Sequence, residues 1–158
     1  MGNKTLIIYS TKSGSTADLA KQIGEHFDDV VVCYIDKINS VRLDDFSRII
    51  IGSYIHVGKI NKKLKKYVSE NANILLQKEL GLFLCGLQPQ ESDKVFKDGF
   101  GPELLDHAKA KAFLGGVYDP AKTGGFSRFI MKTVAKLSSY TNTIDDAAVQ
   151  NFVNTMKN

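Results

Sequence analysis

Four apolar runs constrain this chain most: Leu6-Ile7-Ile8-Tyr9, the β-branched Val30 to Ile35, Arg48 to Ser53 and Leu80 to Leu87. A run that is apolar throughout, without alternation, reads as a strand covered on both faces, as in a parallel sheet. Between these runs stand segments of helical spacing. Thr16–Phe27 places Ala17, Leu19, Ala20, Ile23 and Phe27 on one face, and Asn61–Asn73 turns Leu64, Tyr67 and Val68 inward. Asp36–Phe46 reads as a loop with a short helix, and Gln88–Gly101 as a polar, glycine-bearing connection before a helix at Pro102–Lys109. A fifth strand is expected over Ala110–Tyr118, interrupted by Gly115-Gly116, then a loop and helices at Phe126–Ser138 and Asp145–Lys157. The alternation predicts an α/β fold: a three-layer sandwich with a five-stranded parallel sheet and helices on both faces.

At 158 residues the chain is expected to form one domain, 1–158, with a late helical insertion around 119–142. A hydrophobic fraction of 43% and a charged fraction of 24% are those of a globular protein. No apolar run approaches the ~20 residues of a membrane span. The first residues lead straight into a strand without a signal-peptide pattern, and Cys33 and Cys85 sit apart in apolar runs as small buried hydrophobes. These features predict a cytoplasmic protein, with peripheral contact at the inner face of the cell membrane as the further option. A net charge of +4 permits anionic partners, but no nucleic-acid-binding module is present and no nucleic acid is expected.

The first strand runs into Ser10-Thr11-Lys12-Ser13-Gly14-Ser15-Thr16, five hydroxyl side chains and a glycine in seven residues. At a helix start the backbone N–H groups lack intrahelical acceptors and carry the positive end of the helix dipole. With Ser and Thr hydroxyls they make a cradle for a phosphate dianion, and Gly14 permits a positive φ or a close approach of backbone to ligand. The alternative is an ordinary Ser/Thr-rich turn with Ser15 or Thr16 as N-cap. Neither G-x-x-x-x-G-K-[ST] nor G-x-G-x-x-G occurs, which removes the nucleoside triphosphate and dinucleotide loops.

In a doubly wound sheet the ligand sits at the carboxyl ends of the strands, where the strand order reverses. The loops after strands one, three and four therefore converge. The second of these carries Ser53, Tyr54, Ile55, His56, Val57 and Gly58, and the third Cys85, Gly86, Leu87 and Gln88. A receiver domain would need an acceptor Asp closing strand three and acidic metal ligands closing strand one, where this chain has Gly52-Ser53 and Tyr9-Ser10. A phosphotyrosine phosphatase loop needs Arg six positions after Cys, where Asn39 and Glu91 stand.

Thr11-x-Ser13-Gly14-x-Thr16 resembles the loop by which flavodoxins hold the terminal phosphate of FMN. With Gly52-x-x-x-x-x-Gly58 and the overall length, the likeness to the flavodoxin superfamily extends over nearly the whole chain. Within it, Ile51–Gly58 and Phe126-Ser127-Arg128-Phe129-Ile130-Met131-Lys132 resemble the menaquinone-dependent protoporphyrinogen dehydrogenases. The resemblance implies a flavodoxin-like fold, FMN as cofactor on the three loops, no metal, and a porphyrinogen, a quinone or a redox protein as partner.

Tyr54 is the aromatic candidate to lie against an isoalloxazine ring, or else a surface aromatic over the helix below. His56 is a candidate to tune a reduced flavin, or else an exposed loop histidine; His26 and His107 fall on helices away from the loops. Lys59, Lys62, Lys63, Lys65 and Lys66 form a solvated face, or a surface for anionic lipid. The stripe Phe126, Phe129, Ile130, Val134 and Leu137 with Arg128 and Lys132 beside it reads as core, or as the edge of a site for a large apolar redox partner. Two functional classes follow: a flavoenzyme oxidising a porphyrinogen or similar reductant with a quinone as acceptor, and a diffusible electron carrier without substrate chemistry. The flavin-side loops lack Asp and Glu before Glu91, which favours the enzyme. No side chain is an evident acid–base catalyst, so none is assigned as catalytic.

Overall fold

The computed structural model describes residues 3–12, 14–120 and 139–158. Five strands, β1 (Thr5–Ser10), β2 (Val30–Tyr34), β3 (Arg48–Tyr54), β4 (Glu79–Cys85) and β5 (Ala110–Phe113), form one parallel sheet in the order β2-β1-β3-β4-β5. This is the doubly wound order expected from the sequence, with its reversal between β1 and β3. The register pairs Ile7 with Ile50, Tyr9 with Gly52 and Ser10 with Ser53.

Both faces of the sheet are buried, which is why its strands do not alternate. Leu6, Ile8, Ile49, Ile51, Leu82 and Leu84 face the helices α2 (Lys62–Glu70), α3 (Ala72–Leu75), α4 (Ser92–Phe100) and α5 (Pro102–His107). Ile7, Ile50 and Phe83 face α1 (Ser15–Gly24) and a C-terminal helix, α6 (Asp146–Lys157). Asn61 caps α2 by accepting from Leu64 N at 3.0 Å, and Asp145 caps α6 by accepting from Ala148 N at 3.0 Å. Gly52 lies against Phe83, and a Cβ there would collide with the Cζ end of the Phe83 ring.

Three expectations need correction. Asn61–Asn73 is not one helix: α2 ends where Asn71 donates from Nδ2 to the Tyr67 carbonyl at 2.8 Å, and α3 follows as a separate turn. Gln88–Gly101 contains α4, whose Val95, Phe96 and Phe100 join the core; Gly99 lets it close on Ile60, which a Cβ would approach to 2.9 Å. The fifth strand ends at Phe113. Beyond Gly115-Gly116 the chain forms β6 (Val117–Tyr118), which pairs antiparallel with β7 (Thr141–Asn142) in a separate ribbon. The expected helix Phe126–Ser138 lies outside the described residues, as does Ser13.

Candidate functional site

The cradle loop leaves β1 at Ser10, whose hydroxyl is fully buried and meets Ser53 Oγ at 2.9 Å. Gly14 N donates to Thr11 Oγ1 at 3.0 Å, closing the loop on itself. Gly14 then starts α1 at φ 98°, a left-handed conformation that L side chains rarely adopt, and the space a Cβ would enter is open. Thus Gly14 holds the N-cap position, not Ser15 or Thr16, and no side chain caps the helix. The N–H groups of Ser15, Thr16 and Ala17 are left at the positive end of α1 without intrahelical acceptors.

Thr16 adds a second observation. Its Oγ1 is completely buried and has no hydrogen-bond partner of acceptable geometry. Its polar neighbour is the Cys85 thiol, a weak partner. Burial pushes that thiol up to about 12, against a smaller lowering by Thr16. A buried hydroxyl without a partner costs free energy unless something accepts from it or donates to it.

The loop after β3 closes as a two-residue turn: His56 N donates to the Lys59 carbonyl at 2.9 Å and Lys59 N to the His56 carbonyl at 3.1 Å. Val57 and Gly58 both take positive φ, 50° and 71°. That conformation is strained for a β-branched residue, and Val57 is 73% exposed at the tip. Tyr54 is half-buried and meets the His56 ring edge-on at 6.0 Å. Burial, then the neighbouring Tyr34, raises the Tyr54 phenol above its ordinary pKa.

The loop after β4 is set by backbone contacts. Ile55 N donates to the Cys85 carbonyl at 2.7 Å, and Gly86 N to the Gly115 carbonyl at 3.0 Å. Thr143 clamps Gly116 from the far side: Thr143 N donates to Gly116 O at 2.8 Å, and Gly116 N to Thr143 Oγ1 at 3.1 Å. A Cβ at Gly116 would come within 2.8 Å of the Gly86 carbonyl. The ribbon of β6 and β7 therefore springs from beside Gly86, and Cys85 and Ile55 are tied to it in series. Leu87 and Gln88 follow, half-buried.

The structure thus gathers the three expected loops at the reversal between β1 and β3. Lys12 of the first reaches His56 of the second, Nζ lying 3.3 Å from Nδ1. Two other histidines stand apart, His26 just past α1 and His107 at the end of α5, where Nε2 meets the Lys78 carbonyl at 2.7 Å. Lys59, Lys62, Lys63, Lys65 and Lys66 are exposed; Lys63 pairs with Asp36 at 3.1 Å and Lys66 with Glu70 at 3.9 Å. Sequence reading passed over Asn61, whose N–H binds Ser53 Oγ at 3.3 Å, and Thr143. Neither carries a local signal, because each acts on a partner fixed by the fold. A groove of about 310 Å³ between Ile38–Asp44 and the end of α2 lies away from these loops. Among the described residues no cluster of His, Cys, Asp or Glu is arranged to hold a metal ion, and no helix is long and apolar enough to cross a membrane.

A five-stranded parallel sheet in this order, with hydroxyl-rich and glycine-bearing loops gathered at its reversal, defines the flavodoxin-like class of α/β proteins. The chain belongs to the flavodoxin domain family, which matches residues 6–145. It is 22% identical over 148 residues to protoporphyrinogen IX dehydrogenase [quinone] of Escherichia coli K12, covering 85% of this chain and 80% of that one. Flavodoxin 1 from Bacillus cereus superposes with a TM-score of 0.58 at 14% identity, over 98% of this chain and 95% of its own. A flavoprotein from Lactobacillus acidophilus, solved in complex with FMN, gives 0.51 at 18% identity, over 73% and 92%.

Proposed function

We propose that the carboxyl-edge site holds FMN and that the protein is an oxidoreductase, oxidising a porphyrinogen or a similar reductant and passing the electrons to a quinone. The observation that carries the cofactor is Thr16: a wholly buried, unpartnered hydroxyl at the start of an uncapped helix, beside a glycine with open space in front of it. A phosphate dianion answers each of these, accepting from Thr16 Oγ1 and from the free helix N–H groups. In this reading Ser10 to Thr16 hold the phosphate, while Ser53 to Gly58 and Cys85 to Gln88 border the ring.

Bound FMN supplies the two-electron chemistry. The chain's own part is to bind and orient. Tyr54 offers an aromatic face in the loop after β3, and the backbone ties through Ile55, Cys85 and Gly86 hold the two ring loops at fixed separation. The dehydrogenase likeness supports the substrate reading, as does the lack of Asp and Glu in Ser10–Ala17, Tyr54–Ser69 and Gly86–Gln90. A basic mouth suits a reductant that bears carboxylates. Residues 1–158 are read as one domain with an insertion around 119–142, whose ends meet at the β6–β7 ribbon.

Two assays test the proposal. Mass spectrometry of ligand released from protein supplied with flavins should return FMN and not FAD. The FMN-loaded protein should then turn over protoporphyrinogen with menadione under anaerobic conditions. FMN binding without turnover would leave a carrier; no flavin binding would sink both.

A further inference from the structure

The contact that spans the site is between Lys12 and His56. Lys12 Nζ lies 3.3 Å from Nδ1 and 3.5 Å from Nε2, so the cradle loop reaches across to the loop after β3. Burial, then the Lys12 charge, lowers the imidazole below its ordinary value, so His56 is neutral at pH 7 and accepts from the ammonium. Among the described residues, Tyr54 meets the His56 ring edge-on and is held as the neutral phenol, and Lys59 is joined to His56 backbone to backbone. The first carboxylates that follow the three loops in the sequence are Asp18, Glu70 and Glu91.

We propose that Lys12, held in place by His56, sets the redox preference of the site by stabilising the bound flavin in its reduced, anionic form. The inference rests on the FMN reading above. Reduction of a bound flavin by two electrons and one proton from a reductant would leave one extra negative charge on the ring system. A cation held at this exposed contact between the loops lowers the free energy of that charge more than that of the neutral oxidised ring, by an amount that solvent screening limits. The site is thereby biased to accept electrons from an organic reductant, where a carboxylate-lined mouth would be biased to give them up. His56 is a positioning residue for the Lys12 ammonium.

Lys12 also sits in the cradle loop, so its rival role is to neutralise the phosphate. Riboflavin, which has no phosphate, separates the two. Midpoint potentials are measured by anaerobic dithionite titration with reference dyes, for wild type, Lys12→Gln, Lys12→Arg and His56→Gln, each loaded with FMN and with riboflavin. Lys12→Gln should weaken binding of the reduced flavin relative to the oxidised about tenfold, a fall of about 30 mV for the two-electron couple. The fall should appear with both ligands, and Lys12→Arg should restore most of it. His56→Gln keeps an acceptor and should match wild type at neutral pH. Below the lowered His56 pKa the protonated imidazole can no longer accept from Lys12, so wild type should lose the Lys12-dependent part of its potential there while His56→Gln keeps it. If flavin binds and the riboflavin potential is the same in wild type and Lys12→Gln, the inference is overturned while the FMN reading stands. Should Lys12→Gln lose FMN affinity equally in both redox states, Lys12 serves the phosphate and the inference also fails. Absence of any flavin binding would remove the FMN reading and this inference together.

Discussion

The hydroxyls of Ser10 and Ser53, both fully buried, meet at 2.9 Å where the strand order reverses. Ser53 Oγ donates to the Tyr54 carbonyl at 2.9 Å, which commits its proton, so Ser10 is the donor of the pair. Ser53 Oγ also accepts from Asn61 N at 3.3 Å. One hydroxyl thus ties β1 to both ends of the loop that carries Tyr54, His56 and Val57.

Ser53→Ala should therefore cost more than an ordinary buried serine. It strands the Ser10 hydroxyl and the Asn61 N–H, a penalty of about 1–3 kcal/mol. Thermal unfolding should register a drop of roughly 2–4 °C for each kcal/mol. FMN and riboflavin affinities should fall together, because in the proposed site the loosened loop borders the ring and not the phosphate. A fall confined to FMN would contradict that placement.

Gly52 and Phe83 form a coupled pair. Gly52→Ala forces a methyl into the Phe83 ring and should destabilise by about 1–3 kcal/mol or more, as overpacking does. Phe83→Leu alone should cost a comparable amount through the void it leaves. The double variant should be more stable than the sum of the two losses, since the smaller side chain admits the methyl. Denaturant titration of the four proteins measures the coupling, and strict additivity would refute the contact.

His56 gives the stability a pH dependence of definite sign. Its folded-state pKa lies below the ordinary 6.5, through burial first and Lys12 second. The folded state therefore binds fewer protons there than the unfolded state. The contribution is complete above pH 6.5 and is lost as pH falls through the folded value. His56→Gln should flatten this limb, and Lys12→Gln should shrink it by removing the second cause. Both are read as melting temperature against pH from 7.5 to 5, and an unchanged limb in His56→Gln would show that other groups carry it.

The parts of the fold written in the sequence are those decided by burial. Ile49-Ile50-Ile51 and Leu6-Ile7-Ile8 are covered on both faces, so their composition alone reveals strand and parallel neighbour. What escaped notice depended on distant contacts. Gln88–Gly101 read as a polar, glycine-bearing connection, yet its Gly99 is the residue that lets α4 close on Ile60. Gly115-Gly116 looked like a break within one strand. Its role is to leave room for the Gly86 and Thr143 backbones, and nothing near residue 115 announces either. The turn from β1 into α1 was legible because Ser10 to Thr16 is local. The alternative that put the N-cap at Ser15 or Thr16 does not hold, because Gly14 fills that position with backbone conformation instead of a side-chain acceptor. The reach of Lys12 to His56 spans the two loops and has no sequence signature.

The central claim is that the Thr16 hydroxyl is kept for a phosphate, and Thr16→Val tests it by calorimetric titration of the apo-protein with FMN and with riboflavin. Removing a buried hydroxyl met by nothing better than the Cys85 thiol should leave the apo-protein as stable as wild type or about 1 kcal/mol more so. FMN affinity should nevertheless fall about tenfold or more, with the loss of a hydrogen bond to a charged acceptor worth roughly 1.5–3 kcal/mol. Riboflavin affinity should scarcely change. Equal losses for both ligands, or a destabilised apo-protein with FMN affinity intact, would show that Thr16 serves the fold and not the phosphate.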